Sequence, residues 1–439
     1  MELHSSLKDK VLTLVLAWCA ALGGLLGANL AHASNGTISG RLEFTQDQRN
    51  CGIGTNTKFP CTAVGQPAPV RRALVNFFNA NNPSQRLGSG YTDASGNFNI
   101  AWTDNLGGTQ SYLVAVSWQP IHIDGRFRIR DSAGGDWFFP VGNFTATHGN
   151  NTTIGNWTWG TNTLANVYDG AVRMWEDSLS QSARQWSHFG VFQPSGAPTA
   201  FVEIRTNVDD GTCSTGRAWC DLNRICLPTA SLLQNQSRVM HEMGHIADCV
   251  SERDRVPGRR ANDGLSGGGW NHTSDEWHSR QFTESVATAF ANVALYGQGA
   301  SQPFTCLGSN SSCDISGFNL ETSAASCTGA RRDVLQAERY FWDIYDNTND
   351  NGDTLARGVW EIADTIHTFD PGTANRNRDE VGGSVADPDG HATTDFVQNW
   401  ITWGTNSTTQ HNNNCPPSGD ARNNAGDSAC GSSPCPAVD

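Results

Sequence analysis

A five-residue string near the middle of the chain constrains its fold most strongly. It reads His241-Glu242-Met243-Gly244-His245, so two histidines stand four positions apart. Residues four apart lie on the same face of an α-helix, where two imidazoles can reach one metal ion. The chain must therefore hold this segment as a helix and turn that face towards further ligands.

The residues around this string predict a partly buried helix over 231–249. Its apolar flanks are Leu232, Leu233, Val239, Met240 and Met243. Unpaired histidine and glutamate side chains would be costly to bury there, which favours a metal site over an incidental surface helix. H-E-x-x-H on a helix is typical of a zinc metallopeptidase, with the glutamate as general base. We therefore expect Zn2+ as the cofactor, His241 and His245 as ligands, and Glu242 as the catalytic base.

A third ligand has to come from elsewhere, because catalytic zinc usually has three protein ligands and one open position. Glu284 is the leading candidate, on a helix predicted over 282–296. Small residues follow it and would let this helix approach the first one closely, as would Gly244 from the other side. The alternatives are Asp248, His272, Asp275 and His278, of which Asp248 is better suited to accept a hydrogen bond from a ligand histidine.

The order of predicted elements carries a family resemblance. A helix over 164–179 precedes strands over 200–205 and 224–227, and the motif helix follows. This order, with the motif, resembles the zincin metallopeptidases over residues 161–404. Glu284 followed by small residues resembles the second ligand helix of the gluzincin branch, and this implies that Glu284 is the third zinc ligand. The metzincin continuation is absent, since Asp248 and Ser251 occupy its Gly and His positions.

The sequence pattern of residues 34–160 predicts an all-β domain. Short β-branched and aromatic runs alternate there with Gly, Asn and Asp turns, at 38–44, 73–78, 97–102, 112–118 and 122–129. The strings Ile38-Ser39-Gly40-Arg41-Leu42, Ala73-Leu74-Val75 and Thr92-Asp93-Ala94-Ser95-Gly96-Asn97-Phe98 resemble the transthyretin-like or carboxypeptidase-regulatory-like β-sandwich. The resemblance implies an accessory role, with a polysaccharide or a surface as a further partner.

The first 33 residues have the features of a secretory signal peptide. Lys8 and Lys10 precede an apolar run, and Ala31-His32-Ala33 fits the cleavage pattern. The alternative is a membrane anchor, which the glycines in the run disfavour. We expect a secreted or periplasmic protein with no membrane insertion after signal cleavage, because no other stretch is apolar enough to span a bilayer.

The cysteines fit an exported protein. Cleavage removes Cys19 from the 13 cysteines and leaves 12, an even number that suggests disulfide bonds. Plausible pairs are Cys51–Cys61, Cys213–Cys220, Cys306–Cys313 and Cys226–Cys249. A second metal site with cysteine ligands is the alternative, and the absence of a C-x-x-C pair disfavours it.

Charge and composition limit the classes of partner and cofactor that this chain can have. The net charge is −14, which argues against nucleic acid as a partner. The oxygen-rich stretch 347–353 could hold Ca2+ as a second ion, although it lacks the terminal glutamate of an EF-hand. Residues 405–439 contain few apolar side chains and predict a flexible, cysteine-containing tail.

Together these observations predict an α+β zincin-like catalytic domain at 161–404, preceded by an all-β sandwich domain. The expected function is hydrolysis of peptide bonds in a protein or peptide substrate by a secreted zinc metallopeptidase. Two alternatives remain. One is a catalytically inactive zincin-fold binding protein, which the intact Glu242 disfavours. The other is an exopeptidase or cell-wall peptide hydrolase that uses the same site.

Overall fold

The computed structural model describes slightly under half of the chain. The described residues are 36–45, 66–103, 111–131, 133–161, 163–179, 201–206, 217–219, 224–227, 236–251, 275–276, 278–300, 303–305, 318–320, 332–347 and 358. The predicted signal segment, most of the proposed calcium loop and the tail lie outside these residues. Those expectations therefore stay predictions.

Within these residues the chain forms sixteen strands and four helices. The strands are β1 Thr37–Thr45, β2 Pro67–Pro69, β3 Ala73–Asn79, β4 Asn82–Tyr91, β5 Asn97–Ala101, β6 Ser111–His122, β7 Phe127–Arg130, β8 Phe139–Thr147, β9 Thr152–Thr161, β10 Val202–Thr206, β11 Arg217–Trp219, β12 Arg224–Leu227, β13 Asp275–Glu276, β14 Phe304–Thr305, β15 Phe318–Asn319 and β16 Arg332–Asp333. The helices are α1 Thr163–Asp177, α2 Gln236–Ser251, α3 His278–Leu295 and α4 Val334–Tyr345.

Two sheets make up most of this architecture. A four-stranded sheet has the order β2-β1-β5, with β9 pairing in parallel with β1. An eight-stranded sheet has the order β11-β12-β10-β7-β6-β3-β4, with β8 also pairing with β6. Two short ladders, β13-β16 and β14-β15, accompany the helices.

The two sheets face one another across a continuous apolar core. Strand β5 is an example of how this core forms. Its Phe98 and Ile100 side chains alternate with exposed residues and point into the core. The ring of Phe98 lies 6.1 Å from that of Phe77 on the eight-stranded sheet. Trp118 of β6 likewise packs at 5.6 Å against Trp159 of β9. The alternation of apolar and polar residues therefore sets which face of each strand is buried.

The predicted fold class, an α+β zincin-like domain after an all-β sandwich, is wrong. The described chain is mostly β, and strands from both sides of residue 160 join one sheet. Strand β7 pairs in parallel with β10, and β10 pairs in parallel with β12. Parallel partners are far apart in the sequence, so no local pattern reveals this pairing. The predicted domain boundary at 160/161 falls at the end of β9 and, like that at 404/405, stays a prediction.

The local elements agree with the sequence more closely than the architecture does. The strand over Arg224–Leu227 is confirmed, and α1 covers most of the helix predicted over 164–179. The motif helix spans Gln236–Ser251 in the described structure, and residues 231–235 of the predicted helix lie outside the described residues. The single run predicted over 122–129 is wrong, because β6 ends at His122 and a turn precedes β7. Gly125 occupies this turn with a φ of +65°, which favours glycine.

Buried ion pairs attach α1 to the sheet. Asp169 is 3% exposed and accepts hydrogen bonds from Arg71, just before β3, at 3.0 Å and from Arg173 at 2.7 Å. Arg72 binds Glu176 of the same helix at 2.7 Å. The helices α2 and α3 pack against each other and against α1, and α2 also packs directly against β11 and β12 of the sheet.

Within the described residues, no helix is long and apolar enough to cross a membrane.

Cys226 is buried in β12, and α2 packs against that strand. The side chain of its predicted disulfide partner, Cys249, is outside those described, so this pairing stays a prediction.

Candidate metal centre

Two helices that pack side by side bring the predicted site residues together. Helix α2 carries His241, Glu242 and His245, and α3 carries Glu284. The four-residue spacing places both imidazoles on one face of α2, with ring centroids 4.5 Å apart. Their side chains are 1% and 14% exposed, and that of Glu284 is 12% exposed. The site is thus largely shielded from water.

The three side chains converge on one point. The Oε2 atom of Glu284 lies 3.1 Å from His241 Nε2 and 3.1 Å from His245 Nε2. One ligand atom from each residue lies within 4.8 Å of the others. Three donors at these separations can surround a single small cation, because metal–ligand bonds to N and O are about 2.0–2.2 Å long.

A glycine makes this close approach possible. A Cβ atom added at Gly244 would lie only 2.7 Å from the Cα atom of Ala287 and would also meet the carbonyl group of that residue. These are backbone atoms, which cannot swing away as a side chain can. The absence of a side chain at position 244 therefore lets α2 and α3 pack closely enough for Glu284 to reach both histidines.

A threonine on α3 contacts the far side of the His241 ring. Thr288 Oγ1 lies 3.1 Å from His241 Nδ1, and the same hydroxyl donates to the Glu284 backbone oxygen at 2.9 Å. A hydroxyl has one hydrogen, so Oγ1 accepts the Nδ1–H of the imidazole. The Nε2 atom of a neutral His241 then presents its lone pair to the carboxylate of Glu284.

The charge states of the cluster suit a bound cation. Burial, together with the nearby His245, lowers the pKa of His241 to about 4, which leaves its ring neutral. Burial opposes charge on His245 too, but the Glu284 carboxylate raises its pKa. Burial would raise the pKa of Glu284, but His245 and the two imidazole contacts hold it far below its usual range. An ionised carboxylate therefore lies against a neutral imidazole in a buried site, and the residues present fit a bound cation.

Glu242 lies close enough to His241 and His245 for its charge to act on both, and it also contacts a residue nearer the start of α2. Its side chain is 4% exposed, and its Oε1 atom lies 2.8 Å from Nε of Arg238, one helical turn earlier. The N–H at Arg238 Nε does not point at this oxygen, so the contact is an ion pair without hydrogen-bond geometry. A carboxylate at such a position is the kind of side chain that acts as a general base.

The alternative third ligands do not join the cluster in the described part of the chain. Asp248 is fully buried on α2 and near enough to act on the charge of His245. Asp275 lies in β13 and His278 begins α3, but their side chains are outside those described, as is all of His272. The loop of the proposed calcium site lies outside as well, beyond Asn347.

Tyr296, directly after α3, and Tyr345 of α4 are buried in the core. Tyr345 donates its hydroxyl to the backbone oxygen of Tyr296 at 3.3 Å, and burial raises the pKa of Tyr345 to about 12. Both rings pack around Trp342. The described contacts of Tyr345 and Tyr296 are therefore structural.

Sequence reasoning missed two residues of this site, Arg238 and Thr288. Both stand one helical turn from a predicted residue, Arg238 before Glu242 and Thr288 after Glu284. Side chains at i and i+4 are neighbours on a helix, so this spacing was a usable signal. The contact of Thr288 with His241 crosses between helices and has no such signal.

The comparisons with known proteins add little to this description. No family model matches the chain, and no curated protein matches it. Among solved structures, a 9R-lipoxygenase from a Cyanothece strain aligns with 34% of this chain and 23% of its own, at 13% identity and a TM-score of 0.15. A similarity this small carries no argument about fold or function.

Proposed function

We propose that this chain is a secreted zinc-dependent metallopeptidase that hydrolyses peptide bonds in a protein or peptide substrate. One observation carries the proposal. The ligand atoms of His241, His245 and Glu284 lie within 4.8 Å of one another, and Glu242 stands between the two histidines in sequence. The resemblance to gluzincins at these residues supports the proposed chemistry.

The donor set supports zinc in particular. His241 and His245 would each supply an Nε2 atom, and Glu284 a carboxylate oxygen. Two imidazoles and one carboxylate are typical of catalytic zinc, with a fourth position open to water or substrate. When bound, the zinc ion makes its water more acidic and polarises the scissile carbonyl.

Glu242 is the general base in this proposal. Its Oε1 atom faces Arg238, so we assign the other oxygen, Oε2, as the proton acceptor. It takes a proton from the attacking water and returns it to the leaving amine nitrogen. Because the carboxylate is 4% exposed, little bulk water competes for that proton.

Two substitutions in one experiment test the proposal. Glu242→Gln removes the base but no ligand, so we expect hydrolysis of a fluorogenic protein substrate to fall by at least about 100-fold with zinc content unchanged. Glu284→Gln weakens the ligand set, so we expect zinc content and hydrolysis to fall together. Zinc is measured by elemental analysis after dialysis.

Glu43→Gln is the matched control. Glu43 is also a partly buried carboxylate in an ion pair, with Arg41 on β1, far from α2 in the sequence. Zinc content and hydrolysis should both stay unchanged in this variant. Full activity in Glu242→Gln would exclude the proposed mechanism, and undiminished zinc in Glu284→Gln would exclude Glu284 as a ligand.

A further inference from the structure

We propose that Thr288 is a positioning residue of the metal site: its hydroxyl holds His241 in the tautomer whose Nε2 atom is free to bind a cation. The inference rests on the proposed metal site but assigns a residue that the motif does not contain. Thr288 is 2% exposed on α3, and its hydroxyl contacts only His241 and the Glu284 backbone in the described structure.

The contact with Glu284 determines the direction of the other hydrogen bond. A carbonyl oxygen can only accept, so Thr288 donates its single hydroxyl hydrogen to Glu284 over 2.9 Å. The Oγ1 atom is then an acceptor for His241 over 3.1 Å, which places the imidazole proton on Nδ1. Without the hydroxyl, the proton could move to Nε2, where it would block the metal-binding atom.

The same hydroxyl couples the two ligand helices. Threonine in a helix often donates to the carbonyl four residues earlier, so the bond to Glu284 alone would be ordinary. The bond to His241 is different, because it crosses from α3 to α2. Thr288 therefore joins the ring of one ligand to the helical turn that carries another, and sets their relative orientation.

The expected size of the effect follows from other metal sites. Removing the partner of a ligand histidine's second nitrogen typically costs about 10–100-fold in metal affinity. Thr288→Val keeps the branched shape of the side chain but loses the hydroxyl. Thr288→Ser keeps the hydroxyl and loses one methyl group. Thr288→Ala is a second deletion that should fold even if the buried valine does not.

The experiment measures zinc affinity directly, by competition with a chromophoric chelator. We expect the zinc dissociation constant of Thr288→Val and Thr288→Ala to rise by about 10–100-fold, and that of Thr288→Ser to stay close to the parent value. In zinc-free protein with 15N-labelled histidine, the His241 resonances should report a proton on Nδ1 in the parent and in Thr288→Ser. The Val and Ala variants should show a mixture of tautomers.

Thr92→Val is the matched control. Thr92 is 1% exposed, and its hydroxyl also donates to a backbone oxygen, that of Val70, while it accepts from the N–H of Ala73. Thr92 lies in the β region, so this variant should lose stability without losing zinc affinity.

The outcomes separate this inference from the proposed function. If folded Thr288→Val and Thr288→Ala bind zinc as tightly as the parent, Thr288 does not position His241, although the metal site stands. An unchanged Nδ1–H signal in both variants would also overturn the inference. If the parent itself binds no zinc, both the site and the role of Thr288 are wrong.

Discussion

At the scale of single residues, Gly244 limits what the site can tolerate. Even a Cβ atom does not fit at position 244, because it would meet the backbone atoms of Ala287. The same glycine weakens the intrinsic stability of α2, by about 1 kcal/mol relative to alanine. The close packing of the two helices evidently outweighs that cost.

Replacement of Gly244 by alanine should therefore destabilise the protein, although alanine favours helices. We expect the free energy of unfolding to fall by about 1–3 kcal/mol, because the helices must separate to admit the Cβ atom. Zinc affinity should fall as well, since Glu284 would move away from both histidines. Urea denaturation and chelator competition measure the two effects.

Gly160→Ala is the corresponding control, because a Cβ atom there would meet nothing within 4 Å. Its free energy of unfolding should stay within about 0.5 kcal/mol of the parent value. A Gly244→Ala protein with parental stability and zinc affinity would show that the helices pack less closely than described.

At the scale of elements, the attachment of α1 to the sheet is one of the contacts that hold α2 and α3 in place. Burial would raise the pKa of Asp169, but the charges of Arg173 and Arg71 outweigh it and lower that pKa. The carboxylate is therefore ionised between two guanidinium groups. Since α2 and α3 both pack against α1, this buried cluster supports the helices that carry the proposed ligands.

Asp169→Asn should consequently be strongly destabilising. It would leave the buried guanidinium groups of Arg71 and Arg173 without this compensating charge, which typically costs about 3–5 kcal/mol. Glu176→Gln removes a more exposed carboxylate from the same helix and should cost less than about 1 kcal/mol. Chemical denaturation of both variants tests the difference, and equal losses would contradict the role assigned to Asp169.

Turns and short strands were predictable because local rules govern them. Asp93 accepts backbone hydrogen bonds from Ser95 and Asn97 at 2.8 Å each, as the Asp-Ala-Ser-Gly string predicts. The break after His122 was not predictable from β-propensity alone, because the apolar alternation continues through it. A turn at Asp124 and Gly125 interrupts the strand there.

At the scale of the whole molecule, a buried histidine links stability to pH. His122 is 1% exposed at the end of β6, stacked on Phe127 and close to Trp175 of α1. Burial lowers its pKa from 6.5 to about 4, despite the charges of Asp124 and Glu176. The backbone N–H of Asp124 donates to its Nδ1 atom, a contact that requires the unprotonated nitrogen.

The free energy of unfolding should therefore fall as the pH falls from about 6.5 to about 4. In that window the unfolded chain binds a proton at His122 that the folded chain does not, which costs about 1.4 kcal/mol per pH unit and about 3 kcal/mol in total. His122→Asn keeps an acceptor near the position of Nδ1 but does not titrate. Between about pH 6.5 and 4 the unfolding free energy of the parent should therefore fall more than that of His122→Asn. Parallel plots of unfolding free energy against pH for the two proteins would contradict the role assigned to His122.

The sequence by itself predicted which residues would come together at the candidate site. A four-residue spacing places His241 and His245 on one helical face, and the small residues after Glu284 indicated a helix that packs closely. Both inferences rest on helical geometry, which depends only on residues close together in the sequence. The proposed zinc chemistry and its general base, Glu242, follow from these residues and await the experiments above.

Only the tertiary structure decided the architecture and the contacts between elements. The parallel pairing of β7 with β10 overturned the predicted fold class, and the hydrogen bond from His241 to Thr288 joined two helices. Such contacts depend on which distant segments bury their apolar faces together, and no periodicity within a segment encodes that choice. The sequence thus specified the helix that carries His241 and His245, and the packing of distant elements determined which groups meet it.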